Sequence, residues 1–519
     1  MAEDNGIINT FQQRRQLEEA LAALAATQSE AHLIDRARQM ADRFPADLLA
    51  AAVQRNLGAS SSQLRGGLGH LCALLPPAVI VPLLRAVAGD RQHAVVERTT
   101  AALILERYLG ETVSPGLLSD LAGSNDAAFQ SLLDAVEEGR TNRHILLEYV
   151  TQMAEHSVDI AFMVLGLLDR LAPADRVELL RLIAQDHRHQ VARVALERLA
   201  LLAATAEGES AHVAVHTLAQ TISPALAETA ERSLRKLQFM GRRYQPPPAT
   251  GWHALMSAAD TGGFLTLWLV REASAAERDD GALLAFALAP HDGLLQFSGV
   301  ETMEQPQLPS RREIGDLVEF DNAGGKPTLL LEIPFDVGRA LVMQTVAAWW
   351  ARDAQADLPG EYKLYNDLIW QFAPPVMPHD LAALLANGEN SGLEQPDLPA
   401  LETAADALIS HPIFAAWVGW ATAVWSTLQP GRNGDSQVNT VALTAVVLRE
   451  IDGLPNRGLL QATMAAALRL QALWLALHGE AELAEQAHFL AHWMSVLPVR
   501  QNPLLAGLLQ AGLERTLRK

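Results

Sequence analysis

The chain has 519 residues, of which 49% are apolar, so it is too long for a single hydrophobic core but apolar enough for several. Its formal net charge of -20 repels phosphate backbones and anionic lipid surfaces, which argues against nucleic acid and membranes as partners. Its single cysteine, Cys72, excludes an internal disulfide framework and any zinc site built on several thiolates.

The first residues do not have the form of a targeting segment. Met1–Gly6 is acidic and polar, whereas a signal peptide needs positive charge followed by an apolar run. The longest uncharged apolar stretch, residues 413–428, falls short of the roughly 20 residues needed to span a bilayer. We therefore expect a cytoplasmic protein in which this stretch forms a buried helix. The excess of arginine over lysine and the abundance of alanine are typical of a bacterial coding sequence.

Residues 1–240 show helical spacing of apolar residues, in segments of about 10 to 18 residues separated by Gly, Pro, Asp or Asn. Three of the predicted helices share a template: a small residue, a leucine four positions later, and another leucine three or four positions beyond. The three sets are Ala101, Leu105 and Leu109; Ala195, Leu199 and Leu202; and Ala230, Leu234 and Leu237. The small residue allows neighbouring helices to approach closely.

This template resembles that of the HEAT repeat family, which stacks antiparallel helix pairs of roughly 35 to 47 residues. The resemblance covers residues 1–240 only, and the basic residue expected after each turn is clear only at Arg98 and Arg193. It implies an armadillo-like α-solenoid whose continuous surface binds a protein partner, with a capping helix over residues 7–26. The alternative is an irregular helical array.

The tryptophans mark a domain boundary, because all ten follow residue 250. Just before them, the three prolines within Gly241–Gly251 favour an extended linker. After it, four apolar runs separated by turn residues predict an antiparallel meander. These runs are Trp252–Ser257, Phe264–Val270, Leu283–Leu288 and Leu294–Phe297.

The rest of residues 251–373 combines helices with one more strand. Ser310–Glu313 has the form of a capping box and predicts a helix through Leu317. The other predicted elements are a strand over Thr328–Ile333, a helix from Asp336 to Arg352 and a helix after Pro359. The region is therefore expected to be a small α+β domain.

Helical periodicity resumes over residues 400–519, after a second proline-bearing linker. Within it, Leu459–His478 and Glu480–Leu497, separated by Gly479, predict an antiparallel helical hairpin. The whole chain is thus expected to be multidomain and mainly α. It would comprise a HEAT-like solenoid over 1–240, an α+β domain over 251–373 and a C-terminal helical bundle over 400–519.

The side chains with the best metal-binding pattern are Glu485, His488 and His492, whose spacing places them on one helical face. A carboxylate and two imidazoles could bind zinc or ferrous iron. However, the sequence offers no second Glu-x-x-His helix and no HExxH motif, so a solvated and mutually paired face is the favoured interpretation. The nearest glycine-rich basic loop, Asn322–Lys326, precedes a strand, whereas phosphate loops precede a helix. We expect no metal and no cofactor.

Four tryptophans are candidates for contact with a protein partner, because Trp is favoured at interface hot spots. Trp417 and Trp420 lie on one strongly apolar predicted helix, where the usual role of such residues is to form core. Trp349 and Trp350 are adjacent and therefore about 100° apart on a helix, so one of them is expected to pack across a domain boundary.

No motif of nucleophilic catalysis is present, and Cys72 lies on an apolar helical face. The sequence therefore predicts a non-catalytic interaction or scaffold protein, whose own acidity favours a basic protein partner. The alternative is an enzyme of unknown class, with its site in the central α+β domain or at the junction with the C-terminal helices. The candidate polar groups of that site are Asp316, Glu319, Asp321 and Glu332.

Overall fold

The computed structural model describes residues 15–517, except 28–29, 60, 91, 112–123, 206–207, 274–279, 305–306, 321–327, 354–355, 387–395 and 429–439. The fold is mainly helical, with a six-stranded antiparallel sheet in the middle of the chain. The chain divides into two compact units, Met1–Val215 and His216–Lys519, which we call unit 1 and unit 2. The predicted division into residues 1–240, 251–373 and 400–519 stays a prediction.

Unit 1 is helical wherever its regular structure is described. Residues 15–25 form a helix that agrees with part of the predicted capping helix. The helices that follow are α1 (Glu30–Arg43), α2 (Ala46–Asn56), α3 (Ser62–Leu74), α4 (Pro77–Gly89), α5 (Val95–Leu103), α6 (Ser124–Gly139), α7 (His144–Glu155), α8 (Val158–Leu168), α9 (Pro173–Ile183), α10 (His189–Ala203) and α11 (Glu209–Thr221). A π-helical turn, Ile104–Tyr108, extends α5, and α11 ends inside unit 2.

The helices of unit 1 contact both the next helix and the one after it. Helix α7 contacts α6 and α9, and α8 contacts α6, α7 and α10. Two arginines of the turn between α6 and α7 bind the same helix, α9: Arg140 donates to Asp175, and Arg143 donates to Glu178.

The small residues of the predicted helix template lie in the core. Ala101, Ala195 and Ala230 are each fully buried, which allows close approach of neighbouring helices. Of the six leucines, Leu105, Leu199 and Leu237 are buried with the alanines, whereas Leu109, Leu202 and Leu234 are partly exposed. The template therefore identifies the buried face of each helix.

Unit 2 contains the sheet and the remaining helices. Its strands are β1 (Trp252–Ser257), β2 (Leu265–Arg271), β3 (Gly281–Ala289), β4 (Gly293–Met303), β5 (Leu317–Phe320) and β6 (Thr328–Ile333). Its helices are α12 (Pro224–Phe239), α13 (Phe335–Arg352), α14 (Gly360–Tyr365), α15 (Asp367–Trp370), α16 (His379–Leu385), α17 (Leu398–Ser410), α18 (Ala415–Leu428), α19 (Thr440–Asp452), α20 (Arg457–Leu477), α21 (Ala481–Val496) and α22 (Pro503–Leu517).

The strand order is β4-β3-β2-β1-β6-β5, and all neighbours are antiparallel. The first four strands form the predicted meander, and the predicted strand Thr328–Ile333 has the bounds of β6. Helix α13 packs against the sheet and contacts β1 to β4. Gly338 allows this approach, because a Cβ atom there would lie 3.0 Å from the Cβ of Ala254. The helix predicted from Asp336 to Arg352 is thus confirmed, with its start at Phe335.

The helix predicted from Ser310–Glu313 through Leu317 is wrong. Residues 310–316 form a loop, and Leu317 begins β5. Gly315 in this loop has φ +97°, a left-handed conformation that an α-helix does not contain. The loop is held by backbone hydrogen bonds to β6: Gly315 N donates to Glu332 O, and Glu332 N donates to Asp316 O, both at 2.9 Å.

The C-terminal helices contact the end of β1 and the residues that follow it. Nε1 of Trp417 donates to Ala259 O at 3.0 Å, and Nε2 of Gln471 donates to the same carbonyl. Nε1 of Trp474 donates to Met256 O at 3.3 Å. Three buried side chains of α18 and α20 thus donate to backbone carbonyls of β1 and of the segment that follows it.

The predicted C-terminal hairpin is confirmed as α20 and α21. Gly479 separates the two helices with φ +89°, as expected of a residue that ends a helix. Length and composition alone would allow α20 to cross a membrane, but 56% of its apolar window is buried inside the structure. Helix α17 and the residues after it pass the same test only as a pair bent by 83°. Core helices also pass this test, so it carries no argument for a membrane.

Candidate functional site

A buried ionisable pair lies where β1 meets β6. Nδ1 of His253 is 2.8 Å from Oε1 of Glu332, and the two side chains are 1% and 2% exposed. Both residues belong to one face of the sheet, since Leu255 pairs with Glu332 across the ladder and His253 lies two positions from Leu255. The pairing of β1 with β6 therefore fixes this contact.

The loop over residues 310–316 covers the pair. The backbone amide of Arg312 approaches Oε2 of Glu332 at 3.4 Å, so both carboxylate oxygens face a donor. The same loop is tied to the backbone of Glu332 on both sides. A carboxylate in an apolar sheet thus has its charge compensated by a ring N–H and a backbone N–H.

A cavity of about 240 Å³ lies beside this pair. His253 and Glu332 line it together with Arg311 from the loop and Asp336 from the first turn of α13. Asp336 is already engaged, since its Oδ1 accepts from Nη1 of Arg339 at 2.9 Å. The cavity is therefore lined by the His253–Glu332 pair, by one further basic residue and by one further acidic residue.

The arrangement is chemically suited to proton transfer. A carboxylate on Nδ1 fixes the ring orientation and favours the tautomer whose proton lies on Nδ1, which leaves Nε2 as an acceptor. Nε2 of His253 is buried and has no hydrogen-bond partner among the described residues. The dyad thus contains one buried acceptor that the described residues leave without a donor.

Sequence reasoning named Glu332 but missed His253. The other predicted polar groups do not join the pair: Asp316 and Glu319 are exposed, and Asp321 lies outside the described residues, as does the loop Asn322–Lys326. A signal was present, because each of the two residues is the only ionisable side chain in a mostly apolar strand. Their separation of 79 residues, however, gives no local hint that they meet.

The three candidate metal ligands do not converge. Glu485 is exposed, and Nδ1 of His488 lies 3.0 Å from Leu384 O. His492 packs edge-on against Trp493, with ring centroids 5.1 Å apart. Among the described residues, no group of three or more His, Cys, Asp and Glu side chains could hold a metal ion.

The four candidate tryptophans have different environments. Trp417 is fully buried, so it is a core residue, whereas Trp420 is half-buried. Nε1 of Trp350 donates to Thr221 O at 3.3 Å, so this residue packs on the end of α11. Trp349 lies against Gly293 at the start of β4. The adjacent pair therefore does face two different neighbours.

The thiol of Cys72 is buried, and burial raises its pKa to about 12. A thiol with so high a pKa is protonated at neutral pH and is a poor nucleophile. This agrees with its predicted position on an apolar helical face.

In unit 1, helix α8 exposes an apolar surface that we call the α8 face. It consists of Ile160, Phe162 and Met163, which are 38%, 38% and 39% exposed. Asp159, three positions before Phe162 and four before Met163, is the one charged residue in the sequence of α8. Neighbouring α10 differs, since its exposed residues include Arg193 and Glu197.

Comparison of the chain with known protein families, with curated proteins and with solved structures found no match.

Proposed function

We propose that this protein is a non-catalytic interaction protein of the cytoplasm, in which a HEAT-like array of helices presents a binding surface to a protein partner. The α8 face is the observation that carries this proposal. An amphipathic helix normally turns charged or polar residues outward, whereas α8 turns Ile160, Phe162 and Met163 outward. Clustered exposed apolar side chains of this kind mark interaction sites.

The partner that best fits is a basic protein. The chain has 60 acidic and 40 basic side chains, so its field attracts a positively charged protein. An aromatic and a methionine side chain at the centre of a contact provide the large, adaptable apolar area that binding hot spots use. Charge would therefore guide association, and the α8 face would supply much of the affinity.

The helix contacts of unit 1 support the same function. Alternate helices lie side by side, and Arg140 and Arg143 of the turn before α7 bind α9. An array of this type has a long surface to which successive helices contribute, which suits a protein partner better than a small molecule. The analogy with HEAT repeats adds to this argument but does not by itself assign a function.

The test is affinity capture of the full chain from its native cell, followed by binding measurements with the purified protein that is recovered. We expect a basic partner in stoichiometric amount, and we expect Phe162→Glu to weaken its binding about tenfold or more. Val96→Glu is the matched control, because Val96 on α5 is 39% exposed and receives the same charge. Recovery of no stoichiometric partner, or equal binding by the two variants, would overturn the proposal.

The His253–Glu332 pair favours a second candidate function, that of an enzyme using His253 Nε2 as a general base. The cavity of about 240 Å³ limits its substrate to a small molecule or one small group of a larger one. Purified protein would be incubated with ester, amide and phosphoester substrates of that size. Turnover abolished by His253→Gln would support this function; no turnover by the wild type would exclude it for these substrates.

A further inference from the structure

The largest cavity described in unit 2 lies apart from the His253–Glu332 pair. It measures about 660 Å³ and is bounded by the β3–β4 turn, α13, α16 and the hairpin of α20 and α21. Its polar lining residues are His291, Gln344, Arg469, His492 and Ser495. The rest of the lining is apolar, and small side chains of α20, Ala462 and Ala466, leave the space open.

The lining of this cavity is positively charged, whereas the chain as a whole is negatively charged. Although the protein is strongly acidic, the described lining includes no aspartate or glutamate and does include an arginine. Arg469 and His492 lie on the two helices of one hairpin and line the same space. A wall with positive charge and no carboxylate is complementary to an anion.

Arg469 is half-buried, and in the part of the chain that the structure describes it makes none of the ion pairs or hydrogen bonds that a partly buried cation normally makes. Burial lowers the pKa of its guanidinium below the ordinary value. Because a desolvated charge is costly without a counter-charge, an anion bound at this position would be stabilising.

His492 and His291 contribute differently. His492 is half-buried, with its ring against Trp493, and can donate a hydrogen bond into the cavity. Both ring nitrogens of His291 are buried, and its ring packs on Gly263, where an added Cβ would lie 2.3 Å from Cε1. His291 therefore contributes to the shape of the cavity. Gln344 and Ser495 are exposed and add hydrogen-bond donors to its lining.

We propose that this cavity binds a small organic anion, whose carboxylate or phosphate group pairs with Arg469 and accepts hydrogen bonds from His492 and the exposed donors of the lining. The apolar part of the ligand lies along Ala462 and Ala466. A guanidinium supplies the paired donors that both oxyanions use, so the shared chemistry is an oxyanion joined to an apolar body. This site is independent of the α8 face and of the His253–Glu332 pair.

The test uses isothermal titration of the full chain with inorganic phosphate, phenyl phosphate and benzoate, against chloride at equal ionic strength. We expect saturable binding of phenyl phosphate or benzoate, and the one bound more tightly identifies the oxyanion. Arg469→Gln should weaken that binding about tenfold or more, since it removes a charged hydrogen bond. Arg449→Gln, at an exposed arginine of α19, should leave it unchanged.

A second variant keeps the test decisive if Arg469→Gln does not fold. Ala466→Leu fills the cavity without changing its charge, so it should weaken binding of phenyl phosphate or benzoate while the protein keeps its circular dichroism spectrum. The proposal is overturned if neither organic anion binds above chloride, or if Arg469→Gln and Arg449→Gln bind equally well. It is also overturned if Ala466→Leu folds and binds as the wild type does.

Discussion

Nδ1 of His253 lies 2.8 Å from Oε1 of Glu332, and this hydrogen bond joins β1 to β6 in a region where both side chains are shielded from water. A pair of this type costs desolvation energy when it forms, and it costs more when only one partner is present. The effects of mutating His253 and Glu332 on the free energy of unfolding are therefore not expected to be additive.

Glu332→Leu should destabilise unit 2 by about 3–5 kcal/mol, because it leaves His253 buried without its partner. The double variant His253→Phe, Glu332→Leu should lose less stability than the sum of its single variants, because no unpaired polar group remains. Urea denaturation followed by circular dichroism measures each free energy of unfolding. Additive losses would show that the two side chains do not interact in the folded protein.

Trp417→Phe should destabilise unit 2 by about 0.5–1.5 kcal/mol, because Ala259 O loses one of its two hydrogen bonds and keeps the one from Gln471. Trp420→Phe is the control: Trp420 lies on the same helix but is half-buried, and among the described residues its indole donates no hydrogen bond. Thermal unfolding of both variants gives the comparison. A control as unstable as Trp417→Phe would mean that ring size, rather than the hydrogen bond, matters at these positions.

Glu178 should make the stability of unit 1 depend on pH. Burial alone would raise the pKa of Glu178, but Arg181 and Arg143 outweigh it and hold the pKa below its ordinary value. The stabilisation is therefore complete above the unfolded pKa of about 4.3 and is lost as the pH falls toward the lower folded value.

The measurement is the difference in free energy of unfolding between the wild type and Glu178→Gln. We expect about 2 kcal/mol near neutral pH, since Glu178 accepts charged hydrogen bonds from both arginines. The difference should shrink below about pH 4. A difference that stays constant as the pH falls would show that the charge of Glu178 contributes nothing.

Two helical glycines of unit 1 should respond oppositely to alanine. At Gly69 an added Cβ would lie 2.4 Å from the ring of Tyr108, so Gly69→Ala should cost about 1–3 kcal/mol by overpacking. At Gly166, on α8, nothing lies within 4 Å, so Gly166→Ala should add up to about 1 kcal/mol through helix propensity. Urea denaturation measures both free energies of unfolding, and destabilisation by Gly166→Ala would contradict the open space at this position.

The strands that could be predicted are those in which apolar and aromatic residues are bounded by turn residues. The β1–β2 turn is an example, since Asp260 accepts from the amides of Gly262 and Phe264 and so closes the turn through local contacts. The α20–α21 hairpin was predictable for a similar reason, because Gly479 breaks the periodicity where the chain reverses. Both signals are encoded within a few residues.

Features set by distant residues could not be predicted in this way. Ser310–Glu313 matches a capping box, but a cap contributes only about 1 kcal/mol, and the following residues gain ladder hydrogen bonds by pairing Leu317 with Leu331. The cavity at Arg469 likewise requires α13, α16 and the C-terminal hairpin to meet. Spacing along one helix identified His492 as a candidate ligand, but it could not show that Arg469 faces the same space.

The position of the tryptophans has a practical consequence for following how this molecule unfolds. Since all ten follow residue 250, every indole belongs to unit 2. Tryptophan fluorescence, excited where tyrosine does not absorb, therefore reports on unit 2 alone, while far-ultraviolet dichroism records the helices of both units. Overlaying the two signals on a single denaturation curve would reveal, in the unmodified chain, whether the halves melt in one cooperative step or in two.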